Sequence, residues 1–258
     1  MTTAAKKAYG QHFLADPNIL GVIGRLAELE RTDVVLEIGP GHGTLTMFLA
    51  DRIRLVHAVE VDRDLEPHLA ETLGTRDNVR VVYGDALRLD LAAFDPTPRK
   101  LVANLPYNIA TPLIAESLTG LPAIDLWCVM LQREVADRFF ASPGTKAYGS
   151  VSVLIQLAAK RTGFHPVART VFRPQPNVDS ALLAFRRVAL PPDFPEIKRV
   201  VEGAFSHRRK TLANALQLAG VAEREQTVAA LAAVGRRADS RAEALEPAEF
   251  VDLAAALR

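Results

Sequence analysis

Cysteine occurs once in the 258 residues, at Cys128. A lone cysteine excludes an intrachain disulfide framework and a thiolate metal cluster, so no metal is expected. It fits a reducing compartment, and a cytoplasmic location is expected. An excess of charge of one sign is also missing. Lys and Arg number 31 against 30 Asp and Glu, a formal net charge of +1. No global basicity advertises nucleic acid, so any RNA-binding surface must be a local patch. Long apolar runs are absent. None approaches the roughly 18 residues of a membrane span, and residues 1–9 carry lysines but no apolar core of a signal peptide. No membrane partner is therefore expected. No long heptad pattern suggests a dimer, and a monomer is expected. What is present is 49% hydrophobic and 24% charged. Those are globular values, at a length for one large domain or one plus a small one.

Apolar strands alternate with helices through most of the chain. Strands are predicted at 33–38, 55–59, 78–83, 101–103 and 125–131, and two more at 162–169 and 180–187. Asp16 followed by Pro17 marks a helix start, with Ile19, Leu20, Ile23, Leu26 and Ala27 as its apolar stripe. Further helices are predicted at 44–51, from a cap at Asp64 to 73, and at 111–120, 134–140 and 150–160. Alternation of this kind predicts an α/β fold: right-handed crossovers and a sheet covered on both faces. Trp127 and Cys128 read most simply as core. The composition shifts at Pro191-Pro192, and helices follow at 196–205, 210–218, 225–234 and 247–257. The expected division is residues 1–188 and residues 189–258.

Candidate ligand-binding residues gather at strand ends. The first strand runs into Gly39-Pro40-Gly41-His42-Gly43 and then a helix. Without Cβ atoms the backbone can approach a polar ligand closely. The pattern is G-x-G-x-G, not the G-x-G-x-x-G of dinucleotide binders. Glu60 ends the next strand about twenty residues past that turn, where a carboxylate can accept both ribose hydroxyls of a nucleoside. Asp85 ends the third; it reads equally as a partner of an adenine amine or as a loop cap. The fourth delivers Asn104, Leu105, Pro106 and Tyr107. Pro106 fixes its own φ and holds Leu105 extended. An amide, a backbone carbonyl and an aromatic ring thus leave one strand end in fixed relative positions. Together they can hold a flat base through its exocyclic amine. An ordinary strand-to-helix loop is the plainer account.

Three other segments carry chemistry. Residues 6–14 read from spacing alone as a frayed tail; the functional alternative is a lid whose Gln11 and His12 touch a ligand. Phe172 sits on a stiff loop with two prolines, as a core staple or as one face of an aromatic sandwich. From Arg186 onward, 12 basic residues meet 10 acids, so positive charge is local, at Arg208-Arg209-Lys210 between two helices. Such a run is usually a solvated face, but phosphates can be gripped there.

Five segments together resemble the bacterial ribosomal RNA adenine N6,N6-dimethyltransferases of the type acting on 16S rRNA. They are 10–14 (Gly-Gln-His-Phe-Leu), 37–41 (Glu-Ile-Gly-Pro-Gly), 104–112 (Asn-Leu-Pro-Tyr-Asn-Ile-Ala-Thr-Pro), 172–180 (Phe-Arg-Pro-Gln-Pro-Asn-Val-Asp-Ser) and 205–212 (Phe-Ser-His-Arg-Arg-Lys-Thr-Leu). They follow the family's order and spacing over nearly the whole chain. The resemblance implies a Rossmann-like class I methyltransferase sheet, mostly parallel with an added antiparallel strand, plus a small C-terminal all-helical domain. It implies S-adenosyl-L-methionine as cofactor, held by His12, Leu14, Gly39, Gly41, Glu60, Asp85, Ala86 and Asn104. It implies catalysis at Asn104, Leu105, Pro106 and Tyr107, with Phe172 stacking, and RNA contacts at Arg208, Arg209 and Lys210. The implied partner is 16S rRNA within the 30S subunit, dimethylated at two adjacent adenines of its 3′-terminal hairpin. Position 12 departs from the family, which usually has Asn there. Rival readings are a 23S rRNA adenine methyltransferase, a non-catalytic ribosome-assembly factor and a nicotinamide oxidoreductase.

Overall fold

The structure is a computed structural model that describes residues 12–14, 16–74 and 76–258. Gln11, read above as part of a lid, lies outside the described residues. The strands are β1 (Phe13–Leu14), β2 (Val34–Ile38), β3 (Leu55–Glu60), β4 (Val79–Tyr83), β5 (Lys100–Asn104), β6 (Leu126–Gln132), β7 (Ala159–Val167), β8 (Phe172–Arg173) and β9 (Ser180–Arg187). The helices are α1 (Pro17–Leu26), α2 (Thr44–Ala50), α3 (Glu66–Leu73), α4 (Ala110–Gly120), α5 (Arg133–Phe139), α6 (Ser150–Ala158), α7 (Phe194–Ser206), α8 (Leu212–Leu218), α9 (Arg224–Ala233) and α10 (Pro247–Ala256).

Seven strands form one sheet in the order β4-β3-β2-β5-β6-β9-β7. Strands β4, β3, β2, β5 and β6 are parallel, and β9 runs antiparallel to β6. Every residue of β2 and β3 is buried, as parallel strands covered on both faces require. Helix–strand contacts confirm two covered faces at β6, where successive side chains point oppositely. Trp127 Nε1 donates to Ser117 Oγ on α4 (2.9 Å), while the Cys128 thiol turns to the Ile23 carbonyl on α1. Helices α1 and α2 bury Ile19, Ile23, Leu45 and Leu49 in the core with Val35, Val56, Val102 and Met130. Asp16 caps α1, its carboxylate accepting from Asn18 N at 2.8 Å.

The cap expected at Asp64 falls on Asp62 instead, whose Oδ1 accepts from Asp64 N at 3.1 Å and opens a 3-10 turn over Arg63–Leu65. The reason is local. Pro67 lacks an N–H and fits the first turn of a helix, so α3 begins at Glu66 and the preceding turn takes its own cap.

The chain divides into two compact units. The first is residues 1–136 with 161–187; the second is 137–160 with 188–258. The second unit therefore includes a segment that leaves the sheet after β6, which the composition shift at Pro191-Pro192 does not mark. It is helical. Phe139, Tyr148 and Ile155 of that segment are buried, as are Ile197, Val200, Leu216, Leu231 and Phe250 of the C-terminal helices. The buried Tyr148 hydroxyl donates to the Leu245 carbonyl (2.8 Å), and Phe205 stands between the rings of Tyr148 and Phe250.

Candidate active site

The strand register brings the polar strand ends side by side. Ile38 pairs with Val59, Glu60 with Tyr83 and Asn104 with Met130. Short backbone bonds continue the alignment past the strands: Gly39 N–H donates to the Val59 carbonyl (2.9 Å), Gly84 N–H to the Glu60 carbonyl (2.8 Å) and Leu105 N–H to the Met130 carbonyl (3.2 Å). These ends surround a cavity of about 300 Å³. Its lining includes His12, Leu14, Gly39, Gly41, Glu60, Asp85, Ala86, Asn104, Leu105, Pro106 and Tyr107. Of the residues read as cofactor or catalytic contacts, only Phe172 is outside it.

Each wall has a physical cause. Gly39 and Gly41 have φ of +73° and +57°, which side chains with a Cβ rarely adopt. A Cβ on Gly41 would also lie 2.8 Å from the Phe13 ring. Phe13 in turn stacks on His42, their centroids 3.7 Å apart. The glycine turn and β1 thus close on each other. Glu60, 4% exposed, uses one carboxylate oxygen to accept from Gly41 N (3.1 Å) and the other from Asp62 N (2.9 Å). Burial raises its pKa and these backbone donors oppose the rise. Both oxygens retain lone pairs for further donors. Asp85 Oδ1 accepts from Leu87 N (3.0 Å), and Oδ2 faces Arg88 at 3.4 Å. Asp85 is therefore both a loop cap and a wall of the cavity.

Asn104 is oriented from the N-terminal strand. Its Nδ2 donates to the His12 carbonyl at 2.9 Å, so Oδ1 is the amide atom left to accept at the cavity. The His12 ring is itself held, its Nδ1 2.8 Å from the Pro174 carbonyl, and its centroid lies 5.4 Å from that of Tyr107. Tyr107 OH and Ser180 Oγ share a hydrogen bond of 2.7 Å. Burial raises the phenol pKa, with Ser180 opposing. The Tyr107 ring thus has a fixed attitude. Pro106 closes the turn, its carbonyl accepting from Ile109 N (3.2 Å) and Ala110 N (3.1 Å).

Two expectations change. Phe172 is 0% exposed, in β8, paired with Leu14 and packed in the core with Leu182. Its ring has no surface for a base; the apolar pull of the core wins over the stiff loop. Arg208 is also committed elsewhere. Its guanidinium donates to the carbonyls of Lys146 (2.9 Å) and Tyr148 (2.6 Å) and faces Glu243 at 3.4 Å. Arg208 braces the second unit. Arg209 and Lys210 are exposed, and among the described residues no carboxylate pairs with either.

The sequence reading assigned no role to Glu37 or Ser180. Glu37 lines the cavity at 1% exposure, and its Oε2 has no hydrogen-bond partner among the described residues. Burial pushes its pKa up to about 8. Thr46 lies near enough to offset part of that, although its hydroxyl too is unbonded, and the Glu60 charge adds to the rise. An acid inside the apolar run Val-Val-Leu-Glu-Ile was the available signal.

A seven-stranded sheet in which five parallel strands are followed by the reversed β9 and then β7, with acids and an amide at the carboxyl ends, is the fold of a class I methyltransferase. Known proteins agree. The family model described as ribosomal RNA adenine dimethylase matches residues 2–257. A ribosomal RNA small subunit methyltransferase A of Rubrobacter xylanophilus is 47% identical over 253 residues, covering 98% of this chain and 95% of the relative. One from Ligilactobacillus salivarius is 44% identical over 265 residues, covering 98% and 90%. Among solved structures, a dimethyladenosine transferase from Plasmodium falciparum superposes with a TM-score of 0.79 at 25% identity, over 94% of this chain and 96% of that one. The 23S rRNA methyltransferase ErmE superposes at 0.69 and 30% identity, over 95% and 99%. The chain belongs to the ribosomal RNA adenine dimethylase family.

Proposed function

We propose that this chain uses S-adenosyl-L-methionine to dimethylate N6 of two adjacent adenines in the 3′-terminal hairpin of 16S rRNA, within the 30S subunit. The observation that carries this reading is the oriented amide: Asn104 Nδ2 is tied to the His12 carbonyl, and Oδ1 is left as an acceptor beside Leu105.

The cavity fits the cofactor. Two carboxylates, Glu60 and Asp85, line it with the buried acid Glu37, and among the described residues no Lys or Arg does. That lining suits a cationic nucleoside and repels the phosphates of a dinucleotide. Glu60 would hold the ribose hydroxyls and Asp85 with Ala86 the adenine edge. Gly39, Gly41, His12 and Leu14 would enclose the rest, where the buried Glu37 Oε2 lacks a partner among the described residues. When bound, the cofactor supplies an electrophilic methyl group.

The chain's own residues act on the amine. Asn104 Oδ1 and the Leu105 carbonyl accept its two N–H bonds. The amine is drawn towards a pyramidal form whose lone pair is free to attack. Such positioning contributes up to roughly 7–11 kcal/mol. The target base leaves its stack, and the Tyr107 ring, fixed through Ser180, offers a stacking face of roughly 1–3 kcal/mol. After the first transfer the alkylated nitrogen, now acidic, releases one proton to water and a single N–H remains, so one acceptor loses its donor and the cavity must admit a methyl group. RNA phosphates are gripped by Arg209 and Lys210, exposed in the second unit.

The test is transfer of labelled methyl to under-methylated 30S subunits, with 23S RNA in parallel, followed by nucleoside analysis. N6,N6-dimethyladenosine from 30S alone is expected. Product from 23S RNA instead would assign the other target.

A further inference from the structure

A second cavity lies against helices α1 and α2 and the segments that follow them. It measures about 420 Å³, and its lining includes Gly21, Gly24, Phe48 and three arginines, Arg25, Arg31 and Arg52. Arg31 precedes β2 and Arg52 follows α2, so the cavity is at the amino ends of the strands, where Asp33 accepts the backbone N–H of Arg54 (3.0 Å). The active-site cavity is at their carboxyl ends.

The three guanidiniums are exposed and share an unusual charge environment. Three of the four neighbouring acids are engaged with other cations, Glu28 with Arg186 (2.5 Å), Asp33 with Lys100 (2.7 Å) and Asp51 with Arg76 (2.7 Å), and Glu30 is the fourth. Among the described residues, no carboxylate pairs with Arg25, Arg31 or Arg52. Arg52 and Arg31 are held by other means. Arg52 lies over the Phe48 ring, 3.8 Å from its centroid, and donates to the Phe48 carbonyl at 3.0 Å. Arg31 reaches the Asp51 carbonyl at 3.5 Å. These contacts use few of the five N–H donors on each guanidinium. The floor between them includes Gly21 and Gly24, whose missing side chains leave room beside Arg25 and Phe48. Three guanidiniums around a concave floor, two of them held in place, match phosphate oxygens. In a chain of net charge +1, such a concentration is a specific feature.

We propose that Arg25, Arg31 and Arg52 form a second phosphate-gripping surface, which holds the backbone of an rRNA segment other than the one that presents the target adenine. This rests on the RNA substrate proposed above. The contact is independent of base sequence and acts on docking, not on methyl transfer.

The test titrates under-methylated small subunits with native protein and with an Arg25→Gln, Arg31→Gln, Arg52→Gln variant, across about 50 to 200 mM salt. An Arg25→Gln, Arg31→Gln variant, which keeps Arg52 on Phe48, guards against misfolding; S-adenosylmethionine affinity reports an intact first unit. The expected result is a salt slope shallower by about 1 for each side chain that meets a phosphate. KM for subunits should rise about tenfold with kcat unchanged. Transfer to a short hairpin carrying only the target loop should be unaffected. Equal affinity and slope for native and variant subunit binding would overturn the inference while leaving the proposed function standing. So would an equal loss on the short hairpin. A variant that loses inorganic pyrophosphate binding but keeps subunit affinity would assign the site to a small anion and overturn the RNA reading. Native protein that binds no subunits would sink the proposed function and this inference together.

Discussion

Single atoms decide the proposed chemistry. Asn104→Ala removes an acceptor aimed at the amine and leaves the backbone carbonyl alone. The expected result is a kcat lower by about 100- to 1000-fold, as for loss of one preorganised oxyanion partner, with thermal stability little changed. Full activity would refute the role given to Oδ1. Glu37 gives a second prediction at this scale. Its pKa is pushed up to about 8 by burial, from 4.5 for a solvated carboxyl in the unfolded chain. The folded protein then holds the proton more tightly than the unfolded chain does. Glu37 therefore costs stability progressively as pH rises from about 4.5 to about 8, by at most about 1.4 kcal/mol per pH unit. Burial lowers the pKa of His57, which acts with the opposite sign: that histidine costs stability as pH falls. Comparing native protein with Glu37→Gln cancels the His57 contribution. Melting temperatures across this range should show the native protein losing stability relative to the variant as pH rises; parallel curves would contradict the burial of an uncharged carboxyl.

Short elements carry more than their length suggests. Strands β1 and β8 are two residues each, yet their pairing of Phe13 with Arg173 and Leu14 with Phe172 brings His12 to Asn104. Phe172 is the apolar anchor of that pair. Phe172→Ala should cost about 3–5 kcal/mol of stability, as a large core truncation does, measured by denaturant unfolding. A change confined to RNA affinity would instead restore the stacking role. The glycine turn makes the complementary case. Gly41→Ala must place a Cβ at φ +57° and 2.8 Å from the Phe13 ring. Cofactor affinity, measured by calorimetry, should fall at least tenfold, with about 1–2 kcal/mol of local strain. Undiminished affinity would mean that β1 does not form this wall.

Across the whole molecule, neighbouring positions in one basic run divide into different jobs. Arg208 satisfies the carbonyls of Lys146 and Tyr148, whereas Arg209 and Lys210 face solvent. Arg208→Ala should lower stability by about 1–3 kcal/mol through the carbonyls it leaves unpaired. Arg209→Ala with Lys210→Ala should leave melting unchanged and reduce the salt slope of RNA binding by about 2. Identical behaviour of the two variants in both assays would remove this division.

The sequence by itself determined the parallel core, because apolar runs such as Val-Val-Leu-Glu-Ile fit strands covered on both faces. It also determined the polar strand ends Glu60, Asp85 and Asn104, because each follows such a run directly. Caps such as Asp16 before Pro17 were equally local. Other features depended on contacts between residues far apart in the chain. The His12 carbonyl meets the Asn104 amide 92 positions away, and Tyr107 meets Ser180 across 73. Residues 137–160 join the C-terminal helices through Tyr148, Leu245 and Arg208. Local propensity carries no record of such pairings. Only the tertiary structure decided that Phe172 is core, that Arg208 is a brace and that Asn104 presents its oxygen, because each outcome is set by which partner satisfies a buried group once the chain is packed.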